Sequence, residues 1–224
     1  MMVADAMRTS MFPRLLPITR NLLIANGVAY LLQLVLGPVL VQWLALWPVG
    51  SGFMPWQLLT YGFLHDPANI AHLLFNMLAL WMFGSPLEQT WGPKRFLTYY
   101  LVCIVGAGLL QLGVGWWMVS QGGMPYPTLG ASGGVFGLLL GYGMIFPNNR
   151  MIIFPLPMEI RARTLVIVYA VLALLMGFTG LQPGVAHFAH LGGMVFGWLM
   201  IRYWRGQPPF GRGRKGPPRM RIVK

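Results

Sequence analysis

The stretch Gly130-Ala131-Ser132-Gly133-Gly134-Val135-Phe136-Gly137 sets one serine among glycines at the mouth of an apolar run that ends near Phe146. A hydroxyl in an apolar helix most often bonds its own backbone or glues two helices together. It becomes a nucleophile only where a base comes within about 2.6–3.2 Å of it. The chain has 4 histidines, and His190 opens another apolar run. His72 and Asn76 are spaced four apart, so they share one helix face. Two side-chain donors on one face suit a developing oxyanion in a water-poor site, and they equally suit a helix-to-helix hydrogen bond.

The elements that must carry these groups follow from composition. The 224 residues are 56% hydrophobic and 9% charged, with a mean hydropathy of +0.62, whereas soluble domains carry roughly 25% charged residues. An integral membrane protein is implied. Runs 21–47, 69–87, 96–117, 129–146, 164–181 and 185–201 contain no Lys, Arg, Asp or Glu. Crossing the hydrocarbon core takes about 20 helical residues, so they predict an all-α bundle of six transmembrane helices. Backbone satisfaction in lipid favours that over the short alternating segments of a membrane barrel. Pro38 predicts that the first helix stops or kinks before its uncharged run ends. Cys103 stands alone mid-span and cannot make an intrachain disulfide. The arginines before the first run precede no evident small-residue cleavage site, so that run is expected to stay as a helix.

All 16 basic residues fall in four groups: Arg8, Arg14 and Arg20; Lys94 and Arg95; Arg150, Arg161 and Arg163; and those from Arg202 to Lys224. They alternate with the spans, which by the positive-inside rule makes both termini cytoplasmic. The expected organisation is a cytoplasmic segment 1–20, a membrane domain 21–204 and a basic tail 205–224, rich in Pro and Gly and disordered. Anionic lipid explains the basic tail without nucleic acid, since no aromatic stacking module accompanies it. The connection 48–68, rich in Trp, Phe, Tyr and Leu, reads as a segment in the membrane interface or packed on the bundle's outer face.

In this topology His72, Asn76, Ser132 and His190 come from three distant runs into one layer near the outer surface, where polar side chains are costly and by default functional. Gly133, Gly137 and Gly141 in one run, with Ala189, Gly193 and Gly197 in another, form small-xxx-small series that let helix backbones approach. Of the four acidic residues, Asp5, Glu88 and Glu159 map to the cytoplasmic side, and Asp66 sits beside His65 before the second span. A Ser–His dyad is therefore expected rather than a triad.

With His72-Leu73-Leu74-Phe75-Asn76, Gly130-Ala131-Ser132-Gly133 and Ala189-His190-Leu191-Gly192-Gly193 in that order, the chain resembles the rhomboid intramembrane serine proteases. Trp56 to His65, Phe83-Gly84, Leu87-Glu88 and Trp91-Gly92 are also similar, and the resemblance covers about residues 50–204. It implies a six-helix bundle with a water-filled site open to the outer side. Ser132 would be the nucleophile and His190 the general base, with His72, Asn76 and the Ser132 N–H at the oxyanion hole. Phe136 stands where a family aromatic, often tyrosine, packs on the histidine, and Gly130 and Gly133 would pack around the site.

Gln111 could hold water for the hydrolytic step or bond another helix, and His187 reads as structural. The implied substrates are single-span membrane proteins, cut near the outer face of a bacterial inner (plasma) membrane; no cofactor, metal or nucleic acid is expected. A metalloprotease built on His65, Asp66, His72, His187 and His190 lacks an H-E-x-x-H motif. A non-proteolytic relative that binds membrane helices would usually lack the serine or the histidine, and a transporter would show paired broken helices in an internal repeat.

Overall fold

The structure is a computed structural model that describes residues 13–152, 159–179 and 186–211. The terminal segments beyond these, including most of the basic tail, lie outside the described residues, so the expectation of a disordered tail is not addressed there.

Helix α1 (Pro17–Leu36) starts on a proline at its first turn and stops at Gly37, whose φ of +58° only glycine adopts without strain. Pro38 then opens the short α2 (Pro38–Leu44), as the proline predicts. Helix α3 (Gln57–Thr60) and a 3-10 turn (Tyr61–Phe63) follow. The connection is packed into the bundle, with Gln57, Tyr61, Leu64 and His65 buried while Trp43, Val49 and Trp56 are exposed. The Gln57 amide stitches it together. Its oxygen accepts from the N–H groups of Trp47 and Met54, both at 3.2 Å, and its nitrogen donates to the carbonyls of Gly52 (3.2 Å) and Trp43 (3.4 Å).

Helices α4 (Ile70–Trp91) and α5 (Pro93–Ser120) are joined at Gly92, again at positive φ. The Glu88 carboxylate, buried near the end of α4, accepts from the N–H groups of Ile18 (2.9 Å) and Thr19 (2.8 Å) and from the Thr19 hydroxyl (2.8 Å). Those amides belong to the first turn of α1, where N–H groups have no helical partner and the helix dipole favours negative charge. One acid thus locks α1 to α4.

Helix α6 (Ser132–Ile145) is followed by strands β1 (Arg150–Ile152) and β2 (Glu159–Arg161), then by α7 (Ala162–Thr179) and α8 (His187–Trp204). The antiparallel pairing of β1 and β2 departs from the all-α expectation. Met151 pairs with Ile160 across it, and pairing the backbone of this connection satisfies groups that no helix takes up. An Arg150–Glu159 ion pair at 2.9 Å crosses it, exposed enough to add little stability.

Helices thus lie on all six uncharged runs. By length and composition α1, α4, α5 and α7 suffice to cross a membrane, and α6 is a shorter apolar helix. This is a mostly helical, multi-pass membrane protein. Phe96, Tyr99, Tyr100, Cys103 and Ile104 of α5 form the centre of the core with Leu80, Leu87 and Leu138. Helix α8 packs chiefly on α5 and α6, whereas α7 turns Ile167, Leu175 and Phe178 outward.

Candidate active site

Ser132 is the first residue of α6. The turn before it is fixed from two sides. Leu46 and Thr128 exchange backbone hydrogen bonds at 2.9 Å, and the Gly130 N–H donates to the Tyr61 carbonyl at 3.0 Å. Gly130 has φ +131°, and a methyl group there would lie 3.0 Å from His72 Cε1 and Nε2. Glycine at this position leaves the imidazole edge room beside the Gly130 backbone.

His190 lies in the first turn of α8, and its Nε2 is 2.9 Å from Ser132 Oγ. The approach depends on glycine contacts between helices. A methyl group on Gly193 would overlap the Gly133 carbonyl, one on Gly192 would come 2.8 Å from Ala107 Cα, and one on Gly137 would strike Cys103. The small-residue series therefore meet as expected, with α5 as a third partner. Gly141 and Gly197 of the same series abut Tyr99, whose hydroxyl donates to the Gly137 carbonyl at 2.7 Å.

Phe136, one turn after the serine, stacks flat on His190 with ring centres 4.1 Å apart and planes 5° apart. Tyr169 of α7 supports Phe136 edge-on at 5.9 Å, and the ring of His187 meets His190 edge-on at 6.0 Å. A cavity of about 220 Å³ lies beside His190, lined by Phe136, Tyr169, Leu172, Ala173, Met176 and His187. His187 is buried, with an unpartnered Nε2.

His72 Nδ1 accepts from the Asp66 N–H at 3.4 Å. A neutral imidazole that accepts at Nδ1 carries its proton on Nε2, the nitrogen facing Gly130. Asn76 is 7% exposed; it donates one amide hydrogen to the His72 carbonyl at 2.8 Å and keeps the other. The first N–H groups of α6 lack intrahelical partners and sit at the positive end of its dipole. The His72 ring edge beside Gly130 and the N-terminus of α6 thus lie next to the serine in the chain's path. Gln111 is buried with its Oε1 unpartnered.

Among the described residues no carboxylate hydrogen-bonds His190. Asp66 Oδ1 accepts from the Ala68 N–H, Glu88 holds α1, and Glu159 pairs with Arg150. No group of three or more His, Cys, Asp and Glu that could hold a metal ion occurs among them either. His65 lies against His72, ring centres 5.2 Å apart, with both ring nitrogens unpartnered.

The fold and this pairing define a polytopic membrane protein with a hydroxyl–imidazole dyad at the start of two helices. A family model described as Rhomboid domain matches residues 52–206. The chain belongs to the rhomboid family. It is 34% identical over 145 residues to Rhomboid protease GluP of Bacillus subtilis, covering 64% of this chain and 25% of that one. It is 32% identical over 177 residues to RHOMBOID-like protein 4 of Arabidopsis thaliana, covering 75% and 39%. Identity with Rhomboid protease GlpG of Yersinia pseudotuberculosis is 29% over 196 residues, covering 84% and 62%. The chain therefore spans between a quarter and three-fifths of the length of these relatives.

Proposed function

We propose that this chain is an intramembrane serine endopeptidase that cleaves single-span membrane proteins near the outer face of a bacterial inner membrane, with six spans and both termini cytoplasmic. The observation that carries the reading is the 2.9 Å approach of His190 Nε2 to Ser132 Oγ, made by helices far apart in sequence. Ser132 loses its proton to His190 as Oγ bonds the scissile carbonyl carbon. The carbonyl oxygen becomes an oxyanion held by His72, Asn76 and the Ser132 N–H. Collapse breaks the C–N bond, and the departing amine takes the proton from His190. A water then gives its proton to His190 and attacks the acyl-serine, with the free Gln111 oxygen as one acceptor that could hold it. As the acyl–Oγ bond breaks, His190 returns that proton to Ser132 Oγ and the new carboxyl end is released. Phe136 limits the imidazole to one plane throughout.

The location is supported by the basic clusters, and the depth by the length of α6. Its 14 residues span about 21 Å at 1.5 Å per residue, against about 30 Å of hydrocarbon. With the α6 C-terminus at the basic, inner side, Ser132 lies roughly 9 Å below the outer boundary of the core. A fluorophosphonate probe tests the activated serine without any substrate. Labelling of the wild-type chain that disappears in Ser132→Ala and falls steeply in His190→Ala is the expected result; no labelling of the folded wild-type chain would refute the dyad.

A further inference from the structure

The path from α1 to His72 gives a residue far from the reacting atoms a hand in the oxyanion site. Gln33, near the end of α1, is 1% exposed, and its amide faces the backbone of His65. Its Nε2 donates to the His65 carbonyl at 2.9 Å, and its Oε1 accepts from the His65 N–H at 2.8 Å. This is how a neighbouring strand would pair, made here by one side chain, and it fixes the peptide units on both sides of His65. The Tyr30 hydroxyl adds a weaker hold on the Pro67 carbonyl at 3.4 Å.

Between these two holds lies the Asp66 N–H that reaches His72 Nδ1 at 3.4 Å. A neutral imidazole has one proton and two nitrogens, so the partner of one nitrogen decides the proton on the other. We propose that Gln33 is a positioning residue of the oxyanion site: by clamping His65 it aims the Asp66 N–H at His72 Nδ1, which keeps the His72 proton on Nε2, the nitrogen beside Gly130 and Ser132. Were the clamp released, Nδ1 could take the proton and Nε2 would turn from donor to acceptor. The kinetic consequence rests on the protease reading, whereas the tautomer does not.

The test uses the full chain in lipid nanodiscs with 15N-labelled histidine, His72 being assigned by its loss in His72→Gln. The wild-type chain is expected to show the Nε2–H tautomer. Gln33→Leu is expected to shift His72 towards Nδ1–H and to lower kcat about 10-fold or more at nearly constant KM, with the 10²–10³-fold that loss of a whole oxyanion donor costs as the ceiling. Wild-type His72 protonated on Nδ1 overturns the proposal, even if Gln33→Leu fails to fold. An unchanged tautomer in folded Gln33→Leu also overturns it, as does a loss confined to KM. A wild-type chain with the Nε2–H tautomer, a shift to Nδ1–H in Gln33→Leu and no proteolysis would refute the protease reading and leave the clamp supported.

Discussion

At the scale of single residues, the meeting of Ser132 and His190 was legible because a span-by-span reading brings the two side chains to one depth. Phe136 was legible only through the family resemblance, which implies an aromatic packed on the histidine at that position, and its ring lies flat on His190. Asn76 makes the sharpest residue-level prediction. Asn76→Ala should lower kcat 10²–10³-fold, about 2.7–4 kcal/mol, with KM little changed. Steady-state cleavage of a reconstituted substrate checks it, and a change in KM alone would make Asn76 a substrate contact. The bonding of Gln33 and Gln57 was not legible. A glutamine in an apolar chain signals only that its buried amide needs a partner, and the partners here are backbone groups of a connection whose path sequence periodicity does not describe.

At the scale of elements, the positions of the helices followed from charge-free runs, but several of their ends did not. Helices α4 and α5 extend through Glu88 and through Lys94 and Arg95, because a buried carboxylate can be satisfied by the α1 N-terminus and end-of-helix cations can reach water. The α6–α8 contact is the element that sets the dyad distance. Gly193→Ala should destabilise the bundle by about 1–3 kcal/mol, the usual cost of overpacking, and should abolish activity even where the protein still folds. Thermal unfolding in detergent beside an activity assay separates the two effects.

The connection ahead of α4 carries its own pH dependence. Burial, with His72 next, pulls the His65 imidazole from 6.5 down to about 4. The unfolded chain therefore binds a proton that the folded chain refuses, and stability falls as pH drops from about 6.5 towards 4, by at most ~1.4 kcal/mol per unit. Unfolding midpoints measured across that window should decline for the wild-type chain and decline less for His65→Leu.

At the scale of the whole molecule, the dyad sits at the start of α6, an apolar helix shorter than α1, α4, α5 and α7, and the proposed depth of the site rests on that difference in length. Polar groups come together there because glycines let three backbones touch, a coincidence that the sequence hints at through its small-residue series but cannot locate. On the proposed protease reading, a substrate helix that keeps its carbonyls internally paired in lipid has to unwind locally beside Ser132 to be cut. Glycine costs a helix about 1 kcal/mol and proline about 3 relative to alanine. Replacing such residues in a substrate's outer end with leucine, the cut site itself unchanged, should slow cleavage several-fold in proteoliposomes, and undiminished cleavage would show that helix instability is not what is read.

The central claim is that Ser132 and His190 act as one catalytic unit on a membrane-spanning substrate. It is tested most directly by reconstituting the wild-type chain, Ser132→Ala, His190→Ala and the double variant with a labelled single-span protein and measuring cleavage in the bilayer. The account predicts cleavage by the wild-type chain, losses of similar size in both single variants, and no further loss in the double variant. Appreciable cleavage by folded Ser132→Ala, or additive losses in the double variant, would contradict it.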